Sequence, residues 1–294
     1  MTGMQSTLKA TFWMAGSIAS FLAMSVAGRE TTSELHVFQV MELRSVIGFF
    51  ILLPLVIHVG GLSAMRTARP LQHIGRNVVH YAGQLGWLYA LTLIPLAELV
   101  SIEFTTPIWT ALLAVTFLGE KMSRPKLVAI LLGLVGVVII VRPGLDSVNP
   151  GHLVVLAAAF AFGISMVMVK SLTGSDSVVR IIFWMLVIQS IIGILPAIHF
   201  WKTPTVEVWP WILLIAFTGM SSHFCLARAL VHADATVISP MDFFRVPLMA
   251  LIGWLIYAEQ VDMFTATGAA IILAGNLLNI QRRTPKTEEV SVAP

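Results

Sequence analysis

The amino-acid sequence predicts an all-α membrane protein of ten transmembrane helices, arranged as two inverted five-helix repeats. Three observations carry that prediction. Hydrophobic residues make up 57% of the 294-residue chain and charged residues only 11%, against about 25% charged in soluble domains. So little polar surface cannot cover a soluble fold of this size, whereas a bilayer requires an apolar exterior. Apolar runs close to the roughly 20 residues needed to cross a membrane follow one another with short gaps. Finally, a shift of 139 residues lays Glu120 on Glu259, and with it a basic loop on one without basic residues.

The expected spans, in order, begin with 10–28, directly after Lys9. This run, with Ser25-Val26-Ala27 near its end, also resembles a cleavable leader. At about 18 residues it is long for a leader's apolar region, so it counts as a span. Next come 37–59, 75–94, 97–118 and 125–142, then 151–171, 178–200, 209–231, 235–257 and 262–280. The longest gap, Gly60 to Ile74, has only 15 residues. The chain thus divides into a cytoplasmic N-terminus (1–9), a first repeat (10–142), a second repeat (151–280) and a tail (281–294). The tail is polar and charged and is expected to be disordered.

Basic residues set the orientation. With the N-terminus inside, the inner segments hold Lys9, Arg66, Arg69, Arg76, Lys121, Arg124, Lys126, Lys170, Arg180, Arg282, Arg283 and Lys286. The outer segments hold only Arg29, Arg142 and Lys202, and Arg44, Arg228 and Arg245 fall within spans. This bias places both termini in the cytoplasm, with Trp201, Trp209 and Trp211 as anchors at the outer interface.

The 139-residue shift also pairs Ala90-Leu91 with Ala229-Leu230, Phe104 with Phe243, Ala111-Leu112 with Ala250-Leu251 and Gly136 with Gly275. Pro107 and Pro247 align after a one-residue slip. Five spans per half is an odd number, so the second half must run inverted. The loops agree: Lys121, Arg124 and Lys126 follow Glu120, whereas Gln260, Val261 and Asp262 follow Glu259. Inverted repeats are typical of secondary transporters, in which a central site alternates its access.

These stretches resemble the EamA family of the drug/metabolite transporter superfamily. The likeness rests on Phe104 to Glu120, Gly133 and Gly136 ahead of Arg142-Pro143-Gly144, Pro247 to Glu259, Gly268 with Gly275, and Arg44 in the second span. Ala258 departs from it, since family members usually have glycine before that glutamate. The resemblance implies two five-helix repeats and the export or exchange of amino acids, nucleobases or related metabolites.

An ionisable side chain at mid-bilayer costs about 2.5–3.5 kcal/mol on insertion scales, so those present should face a cavity or a partner. Glu103 and Asp242 superpose under the repeat and would place two carboxylates near the pseudo-two-fold axis, suited to a substrate amine or to proton coupling. Asp242 and Arg245, three residues apart on a helix, can also simply pair. Arg44 is two residues from Glu42 and so points elsewhere, toward Glu103, Asp242 or a substrate carboxylate. His80, Gln84 and Trp87 form one stripe at i, i+4, i+7, and His223 corresponds to Gln84. Such a stripe either meets solute or joins helices. Trp109, Trp184 and Trp254 are candidates for a cavity wall or for plain packing; Glu120 and Glu259 suit helix-end bracing.

The expected partners are a small-molecule substrate, the lipid bilayer, and either protons or a counter-substrate, with a homodimer among the assemblies allowed. Nucleic acid is not expected, because the basic residues are scattered. No cofactor or metal is expected: Cys225 is the single cysteine, and no aspartate-rich or His-Glu-x-x-His motif occurs. An enzyme, a channel and a structural subunit are the competing classes. The expected location is a bacterial cytoplasmic membrane.

Overall fold

The computed structural model describes residues 2–117, 122, 124–142, 149–172, 174–232, 238 and 241–281. Glu120, Lys121, Pro143-Gly144 and the tail from Arg282 lie outside the described residues. Among the described residues every regular element is helical. In chain order they are α1 (Thr2–Thr32), α2 (Val37–His58), a 3-10 turn (Gly61–Met65), α3 (Pro70–Ala90), α4 (Leu96–Glu103), α5 (Thr106–Phe117) and α6 (Arg124–Val141). The second half follows with α7 (Pro150–Leu172), α8 (Val178–His199), α9 (Trp209–His232), α10 (Arg245–Tyr257) and α11 (Met263–Gln281).

Among the described residues six stretches are long and apolar enough to cross a membrane: Leu8–Thr32, Val37–His58, Leu96–Phe117, Pro150–Val169, Val178–His199 and Trp209–Ala229. At the other expected spans stand three shorter apolar helices, Leu127–Val141, Arg245–Tyr257 and Met263–Leu278, and α3, whose polar face lowers its hydropathy. On α3 the polar residues are the buried ones: His73, Arg76, Asn77, His80 and Gln84 face inward, while Leu71, Ile74 and Val78 face out. That reverses the pattern of a soluble helix and suits an apolar surround. Leu195 and Trp254 are 76% and 61% exposed, so Trp254 walls no cavity here.

The repeat reappears as packing. Helix α1 lies along α9 as α3 lies along α7, α2 meets α8, α4 meets α10, and α6 meets α11. Under the 139-residue shift the first two contacts exchange, and the α2–α8 and α6–α11 contacts map onto themselves. The α6–α11 crossing shows why small residues stand there. A Cβ added at Gly136 would lie 2.7 Å from the Gly268 carbonyl oxygen, and one at Gly275 would lie 3.1 Å from that of Ala129. These two contacts are counterparts under the same shift; the first is closer than a side chain permits, and the second is tighter than most side chains tolerate. One apolar cluster, including Phe21, Met41, Trp87, Ile102, Phe104, Val246, Met249 and Ile272, joins both halves.

Polar contacts tie the two ends of the bundle. At one end Arg29 pairs with Glu259 and donates to the Leu91 (2.8 Å) and Ile94 (2.7 Å) carbonyls. Glu259 also accepts from the Leu96 N–H at 2.8 Å, so it caps the start of α4 from across the interface. Bracing was the role expected for it. Nearby Arg142 pairs with Asp262, which caps α11 through the Thr265 N–H at 2.7 Å. At the other end Asp176 accepts from Arg180 (2.6 Å) and Thr67 (2.9 Å) and meets His73 Nε2 at 2.9 Å. Burial pushes the Asp176 carboxyl up, but the hydrogen bonds from Arg180, His73 and Thr67 outweigh it and hold the group below the usual carboxylate range.

Candidate functional site

The fourth span is a broken helix. Helix α4 ends at Glu103, Phe104 and Thr105 form a turn, and α5 resumes at Thr106. Pro107 explains the break. It has no N–H to offer the Glu103 carbonyl four residues earlier, and the Thr106 hydroxyl takes that acceptor at 2.7 Å instead. In the second half the same register repeats: Met241 and Asp242 are helical, Phe243 and Phe244 turn, and α10 starts at Arg245. There Pro247 leaves the Phe243 carbonyl, which accepts from the Val246 N–H at 3.2 Å. Each acid is therefore the last helical residue before an interruption, the setting in which membrane helices expose polar groups to an internal cavity.

The breaks bring Glu103 and Asp242 to one cation. Arg245 donates through one terminal nitrogen to Asp242 Oδ2 at 2.5 Å and through the other to Glu103 Oε1 at 3.3 Å. The Trp87 indole N–H donates to Glu103 Oε2 at 2.7 Å. The guanidinium lies 4.2 Å from the Phe21 ring centroid and 4.7 Å from that of Phe104, within cation–π range. Phe104 stacks edge-on against Phe243, and Phe21 against Trp87, at centroid distances of 5.3 and 5.7 Å. Two carboxylates against one guanidinium leave the centre one negative charge in excess when all are ionised. The Arg245 Nε–H has no acceptor among the described residues.

Along α3 the predicted stripe continues away from this centre. Trp87, Gln84 and His80 are 6%, 9% and 7% exposed. His80 Nδ1 lies 3.2 Å from Ser165 Oγ, and its ring centroid is 6.5 Å from that of His223. Arg44 does not reach Glu103 or Asp242: it makes no ion pair with any described residue, and Arg245 takes that place. The Arg44 side chain instead lies against Gly219 of α9. Arg76, counted above with the cytoplasmic charges, is buried beside His80 and bonds Ser165 Oγ (3.1 Å) and Asn77 Oδ1 (2.7 Å). Its position four residues before His80 was the available signal. Phe21 gave no such signal. Arg228 lies over Trp13 at 5.4 Å, and the Trp109 and Trp184 indoles donate to Thr105 Oγ1 and the Met65 carbonyl. Among the described residues no group of three or more His, Cys, Asp or Glu side chains could hold a metal ion.

Broken helices in two repeat-related halves, with charges gathered at both breaks inside an apolar bundle, define a membrane transporter. The sequence profile described as the EamA-like transporter family matches residues 8–142 and 149–281. The chain belongs to that family. It is 29% identical over 91% of its length to an S-adenosylmethionine uptake transporter of Rickettsia bellii, covering 92% of that protein. It is 33% identical to a riboflavin transporter of Brucella anthropi, over 79% of this chain and 84% of the other. A pseudopaline exporter of Pseudomonas aeruginosa is 27% identical over 86% and 89%. A crystal structure of a protein 18% identical superposes with a TM-score of 0.64 over 92% of this chain and 96% of the other, a likeness of fold. The family is one of transporters, not enzymes.

Proposed function

We propose that this protein is a secondary carrier that exchanges or exports a small polar metabolite by alternating access, with Glu103, Asp242, Arg245 and Trp87 at the central site. The observation that carries the reading is the gathering of both repeat-related acids at helix breaks around one arginine. In this reading ten spans form two inverted halves, in a bacterial inner membrane, with both termini cytoplasmic. The solute's cationic part meets Glu103 and Asp242, and its ring or apolar part meets Phe21, Phe104 and Trp87. His80, Gln84, His223 and Arg44 line the remainder of the path.

Relatives named for S-adenosylmethionine and for riboflavin bracket the substrate class. The excess negative charge favours the cationic candidate over the neutral one. Protons or a counter-substrate balance the exchange. Counterflow in proteoliposomes tests the reading: preloaded unlabelled S-adenosylmethionine should drive saturable entry of the labelled compound, more strongly than riboflavin drives its own. Flux strictly linear in concentration would sink the carrier reading and leave a channel.

A further inference from the structure

We propose that Arg44, Arg76, His80 and His223 form a subsite for a carboxylate carried by the solute, distinct from the acidic centre. The proposal rests on the central-site reading above and adds a second pole to it. Four basic side chains converge here from α2, α3 and α9: the His80 and His223 ring centroids lie 6.5 Å apart, Arg76 and His80 share the Ser165 hydroxyl, and the Arg44 side chain lies against Gly219, about one turn before His223 on α9. Neither arginine has a carboxylate partner among the described residues. Among the described residues Arg76 is bonded only to neutral groups, Ser165 and Asn77. Glu42, two residues before Arg44, points instead toward Tyr81 and Gly193.

A buried charge without a counter-charge is strongly unfavourable. The buried Arg76 guanidinium and the half-buried Arg44 guanidinium therefore favour an anion that no described residue supplies. Buried polar atoms beside them also lack partners: His80 Nε2, Asn77 Nδ2 and Gln84 Oε1. His80 and Asn77 are 7% and 0% exposed, so bulk solvent does not readily serve them. Guanidinium forks match a carboxylate's two oxygens.

The geometry fixes the spacing of the two poles. Trp87 and His80 are seven residues apart on α3, a rise of roughly 10 Å. Gln84 stands between them with its free acceptor. An elongated solute with a cationic part and a carboxylate end satisfies both poles at once; a simple cation satisfies one.

The test uses the purified full chain in detergent micelles and reads ligand-induced shifts in thermal unfolding. The probes are S-adenosylmethionine, its decarboxylated analogue and sodium glutarate. The analogue should bind about tenfold more weakly than S-adenosylmethionine, equivalent to about 1.4 kcal/mol. Arg44→Met should lower S-adenosylmethionine to the analogue's level and leave the analogue unchanged. Glutarate, which needs only the basic pole, should stabilise the wild type and Glu103→Gln but not Arg44→Met. Where Arg44→Met fails to fold, Arg44→Lys replaces it; it keeps the charge, loses the fork, and should lose most of the carboxylate preference. Either Arg44-dependent signature supports the subsite. A protein that ignores S-adenosylmethionine yet keeps Arg44-dependent glutarate binding sinks that substrate for the central site and leaves the subsite standing. Absence of both signatures overturns the subsite.

Discussion

Glu103 and Asp242 occupy the same register of the two halves, each the last helical residue before a break, yet they are held differently. Glu103 has two donors, the Trp87 indole and Arg245, and its side chain is 13% exposed. Among the described residues Asp242 has Arg245 alone, at the shorter distance, and is 24% exposed. The asymmetry begins one turn further on. Where the second half has Arg245, the first has Thr106, whose hydroxyl serves the Glu103 carbonyl. The repeat therefore duplicated the acid without duplicating its cation. A duplicated cation would neutralise both acids; a single one leaves them sharing it, and a cationic solute can take over part of its role.

The largest expected effect comes from removing the shared partner. Arg245→Met leaves two buried carboxylates facing each other, and breaking such a buried pair costs about 3–5 kcal/mol. Transport in proteoliposomes should fall to background, at least a hundredfold, with the protein still in the membrane fraction. Transport within a few-fold of wild type would show that the acids do not depend on this cation.

The two acids themselves should then separate. Glu103→Gln removes the more buried and more heavily bonded charge, so it should reduce transport by ten- to a hundredfold. Asp242→Asn should do less, on the order of tenfold, because the remaining exposure solvates the change. Equal losses would say that repeat symmetry, not local bonding, governs the site. Trp87→Phe sharpens the same point. It keeps the ring and removes one hydrogen bond to a charged group, worth about 1.5–3 kcal/mol. It should raise the half-saturation concentration roughly tenfold and leave the maximal rate nearly unchanged.

These residues also show what the sequence could reveal. The matching acids, the Asp242–Arg245 pair and the α3 stripe were all legible, because register and helical periodicity are local properties. Partners across helices were not. Arg44 and Arg245 are both intramembrane arginines, and no spacing says which one meets Glu103. Trp87 was recognisable as inward-facing, but not as a donor to Glu103, since that contact depends on where α4 stops. Pro107 hinted at the stop without fixing it. Arg76 was misplaced by its nearness to a helix start, where positive-inside counting cannot separate an interfacial charge from a buried one. Phe21 faces Arg245 only through the packing of α1 across the bundle, which no pattern within α1 encodes.

The smallest effect tests the asymmetry at the far ends of the two broken spans. Ala258, which follows α10 and precedes Glu259, adopts a left-handed conformation with φ of 52°. Its counterpart in the first half is Gly119, which lies outside the described residues. The left-handed region costs a residue with a Cβ about 1–2 kcal/mol, and glycine enters it without that penalty. The departure from the family pattern at Ala258 is thus a strained helix end beside the Arg29–Glu259 pair. Ala258→Gly removes the Cβ clash but adds freedom to the unfolded chain, and the second term offsets about 0.4–1 kcal/mol. The net expectation is a gain of up to about 1.5 kcal/mol, read as a rise of a few degrees in the unfolding midpoint with transport within twofold of wild type. A lower midpoint would show that the Ala258 side chain contributes packing that outweighs its backbone strain.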